Sequence, residues 1–227
     1  MAEKNMIYLQ PKPIRIWHWL NALGIVTLCV TGAQIRFPEY VNLLISYKGA
    51  ILLHNTAGFV VSISFSIWFF YYTFVVRKMG ALYVPKIDDI QNGLLRQAKF
   101  YLLTYFLGWD NPHHPTPEDK FNPLQKSAYL AIMFVLVPLV CLTGIFMTNV
   151  EPLRNYILMI GGLKILVGMH FLLACSLCAF LFTHVYLATL GHTPLAHFKP
   201  MWTGWEEELD DHAHDLKIVS DKVSKAA

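Results

Sequence analysis

The sequence predicts an all-α membrane protein, a bundle of four transmembrane helices, and two observations support this fold class. Of its 227 residues, 55% are hydrophobic and only 15% are charged, and the mean hydropathy of +0.42 is unusual for a soluble domain. Long stretches also lack any formal charge, between Arg15 and Arg36, Lys48 and Arg77, Lys126 and Glu151, and Lys164 and Lys199. Because about 20 helical residues cross the hydrocarbon core of a bilayer, each stretch accommodates one span.

The four spans are predicted at 16–35, 49–76, 125–148 and 164–190. An even number of spans leaves both chain termini on one side of the membrane. The two tails and the long central loop hold fourteen of the eighteen Lys and Arg residues, so the positive-inside rule predicts that both termini are cytoplasmic. The net charge of +3 then reflects topology and does not indicate binding to nucleic acid.

The predicted domain organisation has three parts. A cytoplasmic tail (1–15) precedes the transmembrane domain (16–192), and a polar cytoplasmic tail (193–227) follows it and is expected to cover the cytoplasmic face. Within the transmembrane domain, the cytoplasmic loop 77–124 contains a segment, 88–107, that is typical of an amphipathic helix lying on the inner membrane surface.

Four histidines lie inside the predicted spans at two depths. Fourteen residues of α-helix rise about 21 Å and turn through about 1400°, within about 40° of four full turns, so His170 and His184 leave nearly the same face at opposite ends of the fourth span. His54 lies as far inside the outer end of the second span as His170 does in the fourth. His18 and His184 both lie near the cytoplasmic surface. The depths therefore define an outer pair, His54 and His170, and an inner pair, His18 and His184.

Histidine is costly in lipid unless it has a partner, so these residues indicate a functional site. Zinc usually takes four ligands, often including cysteine, at one site, whereas each depth here offers two histidines and no carboxylate. Two imidazoles on facing helices are instead suited to be the axial ligands of a six-coordinate haem iron, and the core of a helix bundle accommodates such a cofactor. The alternative is that the histidines are hydrogen-bonded residues of helix packing.

A short internal repeat accompanies the histidines. Cys29-Val-Thr-Gly32 near the end of the first span matches Cys141-Leu-Thr-Gly144 in the third, and in each following span a lysine precedes a histidine by six residues, Lys48 before His54 and Lys164 before His170. A duplicated helical hairpin would produce this pattern, and so would chance.

The chain resembles a known family, the gamma or cytochrome b subunits of respiratory formate dehydrogenases and the related cytochromes b of Ni,Fe-hydrogenase and thiosulfate reductase type. The resemblance covers most of the chain. It is carried by Arg15–Trp19 with Thr31 and Gly32, His54, Lys120–Lys126, His170 with His184, and Met201–Gly204 followed by His212 and His214.

This resemblance implies a multi-pass protein of the bacterial inner (cytoplasmic) membrane that binds two b-type haems. In the family the two fourth-span histidines serve different haems, so His54 and His170 would hold the outer haem iron and His18 and His184 the inner one, as depth also indicates. The implied partners are an iron–sulfur subunit and a catalytic subunit on the periplasmic side.

The resemblance also implies a site for menaquinone or ubiquinone beside the inner haem and His184. Asn122 would donate a hydrogen bond to the quinone, with Gln125 as a second candidate, although Pro123 and Leu124 depart from the small residues usual in this segment. Asn122 is also suited to be a helix N-cap, and the two roles are compatible. Nearby, Glu118 and Asp119 are either proton relays or solvated loop charges.

The expected function is to pass electrons across the membrane between a periplasmic catalytic partner and the quinone, in either direction, with no substrate chemistry of its own. Arg15 and Arg36 are candidates to pair with propionates of the inner and outer haem, or to snorkel to the interface. Two other classes remain open, a transporter that uses membrane histidines and a membrane anchor without redox function. Transporters usually carry acidic residues in their spans, and none of the four spans here contains Asp or Glu.

Overall fold

The computed structural model describes residues 6–43, 45–109, 111–113, 116, 119–190, 193 and 195–207. It is mostly helical and confirms four helices long and apolar enough to cross a membrane, at Lys12–Arg36, Tyr47–Val76, Pro123–Thr148 and Leu163–Ala188. Each begins one to four residues before the corresponding predicted span, because the polar first turn continues the helix beyond the apolar stretch. In the first helix that turn is preceded by Pro11 and contains Pro13, and proline is well tolerated there.

The described elements, in chain order, are β1 (Met6–Tyr8), α1 (Lys12–Arg36), α2 (Tyr47–Phe70), α3 (Met79–Tyr83), α4 (Leu94–Lys99), α5 (Pro123–Ala131), α6 (Val137–Thr148), α7 (Arg154–Met159), α8 (Leu163–Ala188), α9 (Lys199–Thr203) and β2 (Trp205–Glu207). A π-helical turn, Tyr71–Val76, extends α2, and another, Ile132–Leu136, joins α5 to α6. The second lies just before Pro138, which lacks a backbone N–H and so interrupts the regular hydrogen-bond ladder.

The spanning helices pack as two hairpins. α1 packs along α2, α6 packs along α8, and α2 meets α6. Within the described residues, α8 makes no extensive contact with either α1 or α2. This arrangement leaves space between α8 and the first hairpin, where the histidines lie.

The first hairpin is held together by polar contacts one turn from His18. The Asn21 amide donates to the Ser64 hydroxyl at 2.8 Å, and the Trp17 indole N–H donates to the Ser64 carbonyl at 3.1 Å. Trp17 also stacks on Trp68, with ring centres 5.4 Å apart. Hydrogen bonds between helices compensate for the missing hydrophobic driving force in lipid, so these contacts fix α1 against α2.

The loop after α2 contains a continuous helical segment from Asp89 to Thr104, formed by α4 and a π-helical turn on each side. Its exposed face carries Leu95, Leu102 and Leu103, whereas Gln97 is almost fully buried. An apolar exposed face with a polar buried one is expected where a segment lies against lipid.

The described part of the C-terminal tail covers the N-terminal end of α1. β2 pairs antiparallel with β1, the Trp19 indole donates to the Met201 carbonyl at 2.9 Å, and Trp19 lies against Trp202 with ring centres 4.4 Å apart. The Arg15 guanidinium donates to the Trp202 carbonyl. The tail is therefore anchored beside His18, while His212 and His214 lie outside the described residues.

Gly204 is essential to this anchor because its φ is +92° and a Cβ there would lie 2.6 Å from Tyr8 Cε2. We expect Gly204→Val to detach the tail, which chymotrypsin would then cleave faster after Trp202 or Trp205. Gly80→Ala is the control, since no atom lies within 4 Å of a Cβ there. Equal cleavage rates in all three proteins would contradict this anchoring role.

Candidate functional site

The structure brings the four membrane histidines together in two pairs. The ring centres of His54 and His170 are 6.4 Å apart, and those of His18 and His184 are 6.3 Å apart. In each pair one ring comes from α8 and the other from the first hairpin, so α8 contributes to both sites.

The geometry of the pairs fits a shared metal. A metal–imidazole bond is about 2 Å and the ring centre lies about 1 Å beyond the nitrogen, so two imidazoles on opposite sides of one metal have centres about 6 Å apart. Both pairs have this spacing, and in the described part of the chain neither pair has a hydrogen bond between its two rings. Because the ring separations leave room for one metal between the two imidazoles of each pair, the residues fit a haem iron.

The outer pair is oriented by two threonines at equivalent positions. Thr31 Oγ1 lies 3.0 Å from His54 Nδ1, and Thr143 Oγ1 lies 2.9 Å from His170 Nδ1. Each hydroxyl donates its single proton to a carbonyl one turn earlier in its own helix, that of Thr27 at 2.6 Å or Leu139 at 2.9 Å. Each threonine oxygen is then an acceptor for the Nδ1–H of its histidine, which leaves Nε2 with a lone pair for a metal.

The glycines that follow these threonines give the rings room. A Cβ on Gly32 would lie 3.3 Å from His54 Cε1, and a Cβ on Gly144 would lie 3.4 Å from His170 Cε1. The internal repeat of the sequence therefore corresponds to a repeated structural unit, in which a Thr-Gly pair on one helix holds the histidine on the next.

The inner pair is held differently. Among the described residues His18 Nδ1 is buried without a hydrogen-bond partner, and the His18 ring meets Trp19 edge to face at 5.1 Å. On α8, Phe180 stacks on His184 with ring centres 5.7 Å apart. Aromatic packing, completed by Trp202 of the C-terminal tail, thus takes the place that the threonines occupy in the outer pair.

The two candidate arginines lie beside the two pairs. Arg15 is one helical turn before His18 and already uses part of its guanidinium on the tail. The guanidinium carbon of Arg36 lies 5.1 Å from the ring centre of Phe37 and 5.4 Å from that of Phe171, the neighbour of His170. Arg15 lies near the start of α1 and Arg36 at its end, so each histidine pair has one positive charge nearby that would be available to a haem propionate.

The proposed quinone segment forms the N-terminus of α5. Asn122 is the N-cap residue: its side-chain oxygen accepts from the Gln125 backbone N–H at 2.8 Å, and Gln125 Oε1 accepts from the Asn122 backbone N–H at 3.0 Å. The Asn122 amide also donates to the Tyr101 hydroxyl at 3.2 Å, and burial raises the pKa of that hydroxyl. Asn122 is only 3% exposed, and its amide retains one further N–H.

A buried lysine next to this segment joins two acidic residues. Lys126 is 1% exposed, and its ammonium lies 3.1 Å from Asp89 and 2.7 Å from Asp119. Asp119 therefore pairs with Lys126 while 42% of its side chain stays exposed to solvent. Glu118 lies outside the described residues. Burial alone would raise the pKa of Asp89, but hydrogen bonds from the Lys86 backbone and from Lys126, with the charge of Lys126, lower it.

The sequence indicates the roles of only some of these residues. The repeated Thr-Gly pair is the pattern from which the threonine contacts of the outer histidines could be predicted. No sequence pattern indicates the ion pair of Lys126 with Asp89, because Asp89 is 37 positions away in the chain.

Comparison with known proteins gives the family. The model of the prokaryotic cytochrome b561 family matches residues 9–204, which include both histidine pairs and Asn122. The chain belongs to the prokaryotic cytochrome b561 family. It is therefore a multi-pass membrane protein and an electron-transfer subunit of cytochrome b561 type, and the family implies b-type haem as its cofactor.

Individual relatives agree with this assignment. A protein of Escherichia coli (strain K12) named "Putative cytochrome YdhU" is 32% identical over 201 residues, which cover 88% of this chain and 74% of that protein. Two proteins named "Probable Ni/Fe-hydrogenase B-type cytochrome subunit" are also similar. The one from Rhizobium leguminosarum bv. viciae is 36% identical over 37% of each chain, and the one from Rhodobacter capsulatus is 26% identical over 63% of this chain and 55% of its own. No solved structure matches the chain.

The family assignment confirms the resemblance that the sequence predicted. This cytochrome b561 is related to hydrogenase cytochrome b subunits, although it aligns with only about a third to just over half of those named above.

Proposed function

We propose that this cytochrome b561 is a di-haem subunit that passes electrons across the bacterial inner membrane between an oxidoreductase on the periplasmic side and a quinone near the cytoplasmic side. Both termini are cytoplasmic in this proposal. The observation that carries it is the pair of ring separations, 6.4 Å and 6.3 Å, each fitting one metal between two imidazoles. Because both pairs use α8, the two sites are stacked through the membrane.

His54 and His170 would be the axial ligands of the outer haem, and His18 and His184 those of the inner haem. The bound haems would supply one-electron transfer between two levels about 21 Å apart along α8. With histidine on both sides, no iron position stays open for oxygen, which favours electron transfer. Trp19, which packs against both His18 and Trp202, would shield His18 from water, and Arg15 and Arg36 would compensate propionate charge.

Menaquinone or ubiquinone would bind beside His184, at the N-terminus of α5. The remaining N–H of Asn122 is positioned by the capping box and would donate to a quinone carbonyl, with Gln125 as a second candidate. Protons taken up on reduction would come from the cytoplasm, where Asp119 is 42% exposed and contacts the buried Lys126.

The partners in this proposal are an iron–sulfur subunit and a catalytic subunit at the periplasmic face. Support comes from the relatives named as hydrogenase cytochrome subunits and from the chain itself, whose described residues contain no cluster of His, Cys, Asp or Glu that could hold a metal ion without haem. We propose that electrons flow inward to the quinone. The same arrangement running in reverse would oxidise quinol to feed a periplasmic reductase.

Proteoliposomes test this transmembrane electron transfer. The purified cytochrome is placed in vesicles that hold menaquinol in the bilayer and ferricyanide inside. We expect these vesicles to reduce ferricyanide faster than protein-free vesicles of the same composition. His54→Ala, which should retain the inner haem, should lower the rate to that background while menaquinol still reduces the remaining haem. A wild-type rate in the His54→Ala vesicles would overturn the proposal.

The quinone role of Asn122 can be separated from its capping role. Aspartate is as good an N-cap as asparagine but has no amide N–H, so Asn122→Asp should retain thermal stability and haem content. We expect it to lower the rate of haem reduction by duroquinol by about 5-fold to 150-fold, on the basis of the loss of one buried hydrogen bond of about 1–3 kcal/mol. Asn122→Ala is the comparison that loses the cap as well, and an unchanged rate in the Asp variant would contradict the role.

A further inference from the structure

The two histidine pairs differ in their hydrogen-bond partners, because both outer rings contact a threonine whereas His18 of the inner pair does not. In the outer pair both Nδ1 atoms meet a threonine hydroxyl, at 3.0 Å and 2.9 Å, and each ring also has a backbone carbonyl within hydrogen-bond reach, Leu28 for His54 and Val140 for His170. In the inner pair His18 Nδ1 is buried without a partner among the described residues.

Thr31 and Thr143 are buried, and their hydroxyl oxygens contact the outer histidines. Thr31 is 2% exposed and Thr143 is 6% exposed, and each hydroxyl proton is used within its own helix. Because a carbonyl can only accept and each hydroxyl oxygen is left as an acceptor, both outer rings are held as the Nδ1–H tautomer. The same threonine contact occurs on α1 and on α6, so both histidines of the outer pair are held in this way.

We propose that Thr31 and Thr143 are positioning residues that fix the outer histidines for iron binding and lower the reduction potential of the outer haem relative to the inner one. This inference rests on the proposed function. A metal-bound imidazole that donates its other N–H to an acceptor becomes a more basic ligand. A more basic axial ligand stabilises ferric over ferrous iron, and hydrogen bonding beyond the ligands is an established lever on haem potential.

The asymmetry makes inward electron transfer favourable. Both outer histidines have a hydrogen-bond acceptor and would make an outer haem the easier one to oxidise, whereas the packing of His18 against Trp19 provides no acceptor. This difference in ligand basicity would favour electron transfer from the outer to the inner level.

A redox titration of the purified cytochrome, followed optically and by electron paramagnetic resonance of the ferric haems, tests the inference. Thr31→Val and Thr143→Val keep side-chain shape and remove the hydroxyl. We expect each to raise the midpoint potential of the same haem, the one that is missing in His170→Ala, and to shift its ferric low-spin signal. The double variant should shift both further, and Thr31→Ser, which restores a hydroxyl, should return the wild-type values.

Thr27→Val is the matched control, since in the described part of the chain the Thr27 hydroxyl donates to the Leu23 carbonyl of its own helix and contacts no histidine, and it should shift neither haem. If both valine variants retain two haems with wild-type potentials and spectra, the inference is wrong while the proposed function stands. A shift in the other haem would also overturn it. A wild-type protein that binds no haem would instead remove the proposed function itself.

If Thr31→Val loses the outer haem, recovery of that haem in Thr31→Ser supports the positioning role. Loss in both variants would contradict it, because a hydroxyl in the same place would then not suffice.

Discussion

His170→Ala is expected to halve the haem content of the purified cytochrome. The substitution removes one of two axial ligands of the outer site, and the remaining ring, His54, faces the space from one side only. The inner pair does not share any residue with the outer pair, so its haem should stay bound. The pyridine haemochrome content per chain, together with the number of steps in a redox titration, measures the outcome.

The other three histidines complete this test. His54→Ala should remove the same redox step as His170→Ala, whereas His18→Ala and His184→Ala should both remove the other step. His197→Ala is the control, because His197 lies outside the spans and contacts Glu206. If His18→Ala removed the step that His170→Ala removes, the proposed pairing would be wrong.

Lys126→Ala is expected to destabilise the fold by about 3 kcal/mol, the lower end of the range for breaking a buried ion pair. The loss arises because Asp89, with 16% of its side chain exposed, would remain buried without its cation, whereas Asp119 is exposed enough to be solvated. Lys120→Ala is the matched control, since the Lys120 ammonium has no carboxylate partner among the described residues: it lies 3.5 Å from Gln10 Oε1 and 4.9 Å from the ring centre of Phe121. Thermal unfolding in detergent, followed by circular dichroism, measures the difference.

A second variant and the pH dependence identify the cause. Lys126→Met combined with Asp89→Leu removes both charges and should recover most of the lost stability. Because the pKa of Asp89 is lowered in the folded protein, its contribution is complete above its ordinary value of 3.8 and disappears as the pH falls through the lower folded value. Equal stability of Lys126→Ala and Lys120→Ala at neutral pH would contradict the structural role of the ion pair.

Much of the fold could be predicted because membrane depth is a one-dimensional property. The four charge-free stretches predict four helices. Counting residues from the ends of these stretches predicts that His54 lies level with His170 and His18 level with His184, and the folded chain brings these residues together as pairs. Depth says nothing about rotation around a helix axis, so the contact between Thr31 and His54 could only be indicated by the Thr-Gly repeat.

The contacts of the loop between the second and third spanning helices could not be predicted from the sequence for a different reason. Asp89 and Lys126 are far apart in the chain, and charged residues in a polar loop are solvated in most proteins. Their pairing depends on the helical segment Asp89–Thr104 packing against α5, which no local pattern specifies. The haem-ligand, quinone and topology assignments themselves stay predictions until the cofactors are measured.

The most direct measurement is the number of haems in the purified wild-type cytochrome, obtained as pyridine haemochrome per chain and combined with a reduced-minus-oxidised spectrum. Two b-type haems per chain, titrating as two one-electron steps, are what two imidazole pairs at two depths require. A content of one haem per chain, or a colourless protein, would contradict the di-haem account.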